Sequence, residues 1–389
     1  MSKNDKNNLI EKDDELKLDE SLSAQMDEIF AENSDSNETI DGDVAVLDVG
    51  ENNAANKEPT TKEYMDALPK KKSSLKARII AGSVIAVVYV AAALLTTLVG
   101  GIEGAEFMRF SFDVFVIGIV SIASMEMCSA IGKRFAKPLR VVIIINIVLG
   151  FAAFYLTHFY FSHQFGNNNE YSGGIAAFLF VTAAMFFVCI LINVFSKKLT
   201  MHNILATMLV MLYPMIIGVY VLSLNYLPKP EFVYASGGGP GMMNSAILLM
   251  FLIPAFADTG AFTFGSIIKG KLLAPKISPK KTISGAVGGI ICGMIAGAIV
   301  MAFSFTGVLG VSRLAESNAW NVVHYLVIGA VGSLFVIVGD LLASYIKRQC
   351  RIKDFSNIIP GHGGILDRVD SMLLNAVFLY VYFFVLSFL

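Results

Sequence analysis

The chain has 389 residues, of which 55% are hydrophobic and 16% are charged, and its mean hydropathy is +0.64. Soluble globular proteins carry about 25% charged residues, so this composition excludes an ordinary soluble enzyme. The net charge of −1 hides an acidic beginning, because residues 1–69 hold 19 of the 31 acidic residues and only 6 of the 30 Lys and Arg. The remainder, with few charges, is typical of a membrane-embedded protein. Its four cysteines are scattered and predict neither a disulfide framework nor a zinc site.

The acidic segment at residues 1–69 is predicted to be a mostly disordered tail. It is rich in Asn, Ser and acidic residues and nearly free of aromatic ones, so it cannot bury enough apolar surface to offset the entropy of ordering. Acidic residues stand where a signal peptide has its short apolar run, so no signal peptide is expected. We therefore expect a cytoplasmic tail followed by a membrane domain over residues 70–389.

Apolar runs of about 20 residues alternate with short polar connectors from residue 70 onward, and a helix of this length crosses the hydrocarbon core. We predict an all-α polytopic membrane protein with nine transmembrane helices. Pro254 and Asp258 interrupt the sixth run. The runs lie at residues 79–99, 110–131, 141–161, 173–194, 203–224, 243–263, 283–304, 325–346 and 371–389.

The basic residues of the membrane part fall on alternate connectors. Connectors of one side hold 21 Lys and Arg, whereas the others hold only Arg109, Lys229 and Arg313. The positive-inside rule makes the basic connectors cytoplasmic. We therefore predict that the protein lies in the plasma membrane, with its N-terminus in the cytoplasm and its C-terminus on the opposite side.

A stripe of small residues marks the seventh run, with Gly285, Gly289, Gly293 and Gly297 at steps of four. Small residues at this spacing allow helices to approach closely. Packing within the bundle is the favoured interpretation, and the seam of a homodimer is the alternative.

Acidic residues gather at the cytoplasmic ends of the predicted helices, where ionisable groups are costly and indicate function. Internal ion pairs are the alternative interpretation. The acids concerned are Glu126, Asp258, Asp340, Asp354, Asp367 and Asp370.

Spacing places several of these acids beside basic or hydroxyl groups. Asp340, Ser344 and Lys347 step by four and three, so they share one helical face. Asp367 and Asp370 are three residues apart at the start of the last helix, so they also share one helical face.

Between these helices, the sequence PGHGG at residues 360–364 has glycines that permit backbone amides to converge on an anion. Carboxylates, bases and such a loop suit a Mg²⁺-assisted phosphate site. The pattern indicates phosphoryl or nucleotidyl transfer at the membrane surface.

Two blocks of sequence resemble a known family. Residues 344–370, SYIKRQCRIKDFSNIIPGHGGILDRVD, are similar to the signature of phosphatidate cytidylyltransferases, also called CDP-diacylglycerol synthases. Residues 258–262, DTGAF, and 277–282, ISPKKT, resemble a second block of that family. The earlier helices carry no comparable motif.

This resemblance implies an enzyme of phospholipid biosynthesis that joins CTP to phosphatidic acid, releasing pyrophosphate. It also implies a two-metal centre, with Mg²⁺ as one ion, held by Asp340 and Asp367. The partners expected are both substrates and the lipid bilayer, with no nucleic acid. The candidate catalytic residues are Asp340, Asp367, Lys347 and Asp370. The candidate substrate-binding residues are Asp258, Ser278, Lys280, Lys281, Ser344, Arg348, His362 and Arg368.

The basic residues have different candidate roles. Lys347, Arg348 and Arg368 are candidates for phosphate contacts, whereas Lys280 and Lys281 are placed in a loop that holds either the triphosphate or the lipid headgroup. For His362 the interpretations are a hydrogen bond to phosphate, a structural role in its loop, or proton transfer.

The chain departs from the family pattern at two positions, where Ser284 replaces a Glu and Ser266 an Arg. These changes bear on nucleotide or lipid preference and leave the predicted metal acids intact. Three other functions compete: a CTP-dependent polyprenol kinase, an ether-lipid counterpart of the synthase, and a secondary transporter. A transporter is disfavoured because the acids lie at the inner face and no internal repeat is present.

Overall fold

A computed structural model describes residues 105–165, 172–196, 200–227, 241–306, 309, 311–359 and 363–387. The predicted tail, the predicted first helix at 79–99 and His362 lie outside these residues. The described part is dominated by helices, and one of its polar connections carries the single hairpin found there.

Eight helices in the described part are long and apolar enough to cross a membrane. They correspond to the second through ninth predicted runs, so the all-α polytopic membrane fold is confirmed. They are numbered α1 to α8 in chain order: Ala105–Gly132, Arg140–Phe165, Ser172–Phe195, Met201–Tyr226, Gly241–Ile268, Ile283–Thr306, Asn318–Gln349 and Leu366–Leu386.

Helix α7 is longer than its predicted run at both ends. Its 32 residues extend about 48 Å at 1.5 Å per residue, well beyond the roughly 30 Å hydrocarbon core. Lys347 and Arg348 occupy its last turn, where basic groups interact favourably with the helix dipole. Helix α7 is therefore long enough for its basic end to reach the membrane surface.

Helix α4 is irregular in its middle. An α-helical start, Met201–Val210, leads into a π-helical turn at Met211–Ile216 that contains Pro214, and α-helix resumes at Ile217–Ser223. Proline has no N–H to donate and its ring disturbs the preceding turn, which accounts for the break in the regular ladder. The wider turn changes which side chains face the neighbouring helices.

The connection between α5 and α6 forms an antiparallel hairpin of β1, Leu272–Ala274, and β2, Ser278–Thr282. The expectation of a loop around Lys280 and Lys281 was wrong, because both residues lie in β2. The hairpin tolerates Pro279 because a two-stranded sheet has only edge strands, where a missing N–H need not break a ladder.

The glycine stripe of α6 packs against helices on both sides. A Cβ on Gly289 would lie 3.0 Å from the carbonyl oxygen of Ala257 in α5, and one on Gly297 would lie 2.2 Å from that of Tyr325 in α7. Only glycine allows these approaches, so the stripe serves packing within the bundle as favoured. A homodimer remains a prediction.

Candidate active site where the last two helices meet

Helices α7 and α8 come into backbone contact where their acidic residues lie. A Cβ on Gly339 would stand 2.8 Å from the carbonyl oxygen of Asp370. The absence of a side chain at this position lets the segment that carries Asp340 approach the first turns of α8. Two acidic segments far apart in sequence are thereby brought to one place.

Lys347 is the central cation of this cluster. Its Nζ lies 2.8 Å from Asp367 Oδ1 and 3.8 Å from Asp370 Oδ2. Both members of the closer pair are buried, with 11% of the Lys347 side chain and 2% of the Asp367 side chain exposed. The ammonium also lies 5.5 Å from the ring centre of Phe355, within the range of a cation–π interaction. Lys347 is thus fixed in place.

The second oxygen of Asp367 organises the loop before α8. Asp367 Oδ2 accepts hydrogen bonds from the backbone N–H groups of Phe355 and Gly364, each at 2.9 Å. Gly363 has a φ of +85°, a conformation that favours glycine, and a Cβ there would lie 2.9 Å from the same oxygen. The glycines therefore allow the backbone to fold closely around the Asp367 carboxylate.

Asp340 is bound from a different direction and is more open. Lys281 of β2 forms an ion pair with Asp340, whose side chain is 32% exposed. Ser344, one turn later, donates toward Asp340 Oδ1 at 3.5 Å. Successive residues of a strand point to opposite faces, so Lys280 is directed away from this pair and is exposed. The two neighbouring lysines, which the sequence left equivalent, are therefore distinct.

Glu126 connects the cluster to α1. Its Oε1 accepts hydrogen bonds from Ser356 Oγ at 2.6 Å and from the N–H of Ile365 at 2.9 Å, and its Oε2 accepts one from the N–H of Leu366 at 2.8 Å. These amides begin α8, where N–H groups lack partners within the helix and the dipole favours a negative charge. Glu126 therefore acts as a cap supplied from another helix.

The remaining candidates surround the cluster at greater distance. The charges of Asp340, Lys281 and Arg368 act on Asp258, which is exposed on α5. Arg348 donates to the carbonyl oxygens of Ile277 at 3.3 Å and Ile352 at 3.2 Å, and so ties the end of α7 to the hairpin.

Two candidates have no described contact with the cluster. Ser278 begins β2 and pairs with Ala274, while His362 lies outside the described residues. At one departure from the family pattern, Ser284 Oγ donates to the carbonyl oxygen of Lys269, which joins the ends of α5 and α6.

A preformed site of three or more His, Cys, Asp or Glu side chains suited to a metal is absent from the part of the chain that the structure describes. The carboxylates of the cluster are instead bound by lysines and backbone amides. Oxygen ligands are nevertheless the type that Mg²⁺ prefers, and Asp340, half-exposed beside Ser344, is the acid most open to an added ligand.

Sequence reasoning missed two features. Glu126 was grouped with the acids of the site, whereas its contacts are those of a helix cap. Tyr213 was not considered; it is buried in the π-helical turn of α4, and the charges of Asp370, Asp340 and Asp367 act on its hydroxyl. No sequence signal marks it beyond the neighbouring Pro214.

The fold and the site define a polytopic membrane protein with a clustered acid–lysine site. The comparison with protein families then assigns this protein to a family. The model of the cytidylyltransferase family matches residues 76–386. The chain therefore belongs to the cytidylyltransferase family, as the resemblance predicted.

Among curated proteins, a phosphatidate cytidylyltransferase of Rickettsia conorii is 40% identical over 135 residues, which cover 35% of this chain and 56% of the relative. Its counterpart in Rickettsia bellii is 41% identical over 160 residues, covering 41% and 67%. That of Haemophilus influenzae is 34% identical over 141 residues, covering 36% and 46%. The matched segments thus span about half to two thirds of these relatives.

Proposed function

We propose that this protein transfers the cytidylyl group of CTP to phosphatidic acid, giving CDP-diacylglycerol and pyrophosphate. The observation that carries the proposal is the paired set of acids and lysines where α7 and α8 meet, in a chain of the cytidylyltransferase family. The curated relatives are named phosphatidate cytidylyltransferases, which supports the choice of substrates.

The chemistry needs charge neutralisation before anything else. A phosphatidate oxygen attacks the α-phosphorus of CTP in line, the new P–O bond forms, and the bond to the pyrophosphate oxygen breaks. Both reactants are anions, so cationic groups must bring them together and stabilise the charge that moves onto pyrophosphate. Lys281, at the open side of the cluster, is suited to release Asp340 and contact a phosphate. Lys347 is suited to hold Asp367 in position.

A general base is not required, because a phosphate monoester is already ionised near neutral pH. The carboxylates are therefore not assigned to proton abstraction. We propose that Asp340 and Asp367 hold Mg²⁺, which would supply Lewis-acid stabilisation of phosphoryl oxygens. Because Asp367 already accepts bonds from Lys347 and two amides, Asp340 is the more accessible ligand. Asp370 and Asp258 are further acids whose charges interact with that of Asp340.

We further propose that the protein lies in the plasma membrane and that its site faces the cytoplasm. The support is the distribution of charge, since the basic connectors include the hairpin that carries Lys281 and the segment after α7. CTP is a cytoplasmic nucleotide and phosphatidic acid a membrane lipid, so a site at the inner membrane surface receives both.

The test uses the purified full chain in mixed micelles with CTP, Mg²⁺ and phosphatidic acid, assayed for pyrophosphate and CDP-diacylglycerol. Asp340→Asn and Asp367→Asn are each expected to lower kcat by about 10²-fold or more, the loss typical of removing one preorganised electrostatic contact. Glu316→Gln, an exposed residue outside the cluster, should retain wild-type turnover.

Lipid and nucleotide substitution separates the competing functions. Formation of a phosphorylated polyprenol would favour the kinase, and preference for an ether-linked phosphatidate would favour the ether-lipid enzyme. Absence of CTP-dependent pyrophosphate release from folded wild-type protein would refute the proposal.

A further inference from the structure

The buried hydroxyl of Tyr213 has no role in the chemistry proposed above. Tyr213 is only 3% exposed, and its hydroxyl has no hydrogen-bond partner among the residues that the structure describes. Tyr325 provides the contrast, because its buried hydroxyl contacts Ser245 Oγ at 3.1 Å and the carbonyl oxygen of Ser312 at 2.8 Å. A buried hydroxyl without a partner costs about 1–3 kcal/mol, so its presence calls for a physical reason.

Tyr213 stands at an irregular position of α4. It lies in the π-helical turn Met211–Ile216, and such turns frequently occur at functional sites. Neighbouring helices pack tightly on both sides of this turn. Asn146 of α2 contacts Met215 Sδ at 3.9 Å, and a Cβ on Gly218 would lie 2.5 Å from Val120 of α1. The turn and the residues after it are therefore packed against α1 and α2.

Tyr213 is close enough to the site already described to interact with the charges of its acids. The charges of Asp370, Asp340 and Asp367 all act on its hydroxyl. Helix geometry agrees: Tyr220 of α4 and Tyr380 of α8 are in ring contact, with centroids 5.5 Å apart.

The two helices run in the same direction, because three membrane crossings, α5, α6 and α7, lie between them. At a rise of 1.5 Å per residue along each helix, Tyr213 lies about 10 Å from that ring contact and Asp370 about 15 Å from it. Both residues lie toward the same end of the bundle. They are therefore at similar depth.

We propose that the Tyr213 hydroxyl donates a hydrogen bond to a phosphoryl oxygen of a substrate bound at this cluster. The inference rests on the proposed function, because it takes a phosphate as the ligand. A phenol suits the position: it is a neutral donor, and a further cation there would compete with Lys347 for Asp367 and Asp370. Lys281 belongs to the β-hairpin and Tyr213 to α4, so the two residues would contact the substrate from different elements.

The test compares Tyr213→Phe with Tyr380→Phe in the full-length protein. Tyr380 is a matched control, since it is 5% exposed and its hydroxyl also lacks a partner in the described part of the chain, but its electrostatic neighbour is Tyr220 rather than an acid. Both substitutions remove an unpaired hydroxyl and keep the ring, so neither should lower the melting temperature in detergent.

Kinetics then decide the role. Tyr213→Phe is expected to lower kcat/KM by about 10–100-fold, whereas Tyr380→Phe stays within twofold of wild type. Varying CTP and phosphatidic acid separately identifies the source of the phosphate: a change confined to phosphatidic acid assigns the lipid phosphate, and one confined to CTP assigns the nucleotide.

Three results would overturn the inference. One is wild-type kinetics for Tyr213→Phe in an enzyme whose wild type releases pyrophosphate. Another is a lower melting temperature, which would mean that the hydroxyl has a protein partner. The third is a shift in the half-saturating Mg²⁺ concentration with unchanged constants for both substrates. If the wild-type protein itself shows no CTP-dependent turnover, the failure belongs to the proposed function.

Discussion

Loss of the Glu126 carboxylate is predicted to loosen the site without touching any of its reacting groups. Glu126 is 4% exposed and accepts three hydrogen bonds, from Ser356 Oγ and from the amides of Ile365 and Leu366. In Glu126→Ala these donors lose their acceptor inside the protein. In Glu126→Gln one oxygen is kept, while the new NH₂ group cannot accept from an amide.

The magnitude follows from the contacts. A hydrogen bond to a charged group contributes about 1.5–3 kcal/mol, and a buried donor left unsatisfied costs about 1–3 kcal/mol. The three bonds meet at one carboxylate and are not additive, so we expect Glu126→Ala to lower the free energy of unfolding by about 3 kcal/mol and Glu126→Gln by about half of that. Asp367 follows the capped amides directly, and a displacement near 1 Å can cost on the order of 10²-fold in rate. Glu126→Ala should therefore lower kcat by roughly 10–100-fold.

A glycine substitution tests the same contact from the other side. A Cβ on Gly364 would lie 2.6 Å from Glu126 Oε2, so Gly364→Ala should reproduce both effects of Glu126→Ala. Gly118→Ala, in the same helix as Glu126 and with open space around its Cβ, is the control. Thermal unfolding in detergent and pyrophosphate release are the measurements. If Glu126→Ala kept wild-type stability and turnover, the assignment of Glu126 as the cap of α8 would be refuted.

Two further predictions concern the lysines and the topology. Lys347→Ala should mainly lower kcat, because it leaves the buried Asp367 without its cation, while Lys281→Ala should mainly raise the KM for CTP. Lys280→Ala, on the exposed face of β2, should change either constant by less than Lys281→Ala does. Equal effects of Lys280→Ala and Lys281→Ala would contradict the strand geometry. Single cysteines placed at positions 168 and 357 should label from opposite faces of sealed cells, and labelling of both from one face would contradict the predicted number of crossings.

The helices could be predicted from sequence because membrane spans obey a strong length and hydropathy constraint. Eight predicted runs match described helices, whereas the sidedness predicted from the basic connectors stays a prediction. The β-hairpin was missed because Ser278–Thr282 contains a proline and two lysines and shows no apolar alternation. Its strand pairing depends on where the ends of α5 and α6 lie, which is a tertiary property.

The site was predictable to the level of residue type and less so to the level of role. The spacing of Asp340, Ser344 and Lys347 correctly indicated one helical face. The ion pair between Lys281 and Asp340 was not predictable, since 59 positions separate them in the sequence and only the hairpin geometry selects Lys281 over Lys280.

The motif-bearing helices depend on helices that carry no motif. The family model matches residues 76–386, although the recognisable signature begins only at Asp258. The structure gives a physical reason for this extent: α1 supplies the carboxylate that caps α8, and α4 supplies the buried Tyr213, whose hydroxyl interacts with the charges of the acids. The first amides of a helix lack partners within that helix, so α8 needs an acceptor from a neighbouring helix if Asp367 and Asp370 are to keep their positions. Helices α5 to α8 contain every candidate catalytic residue, yet without Glu126 they lack the group that fixes the start of α8.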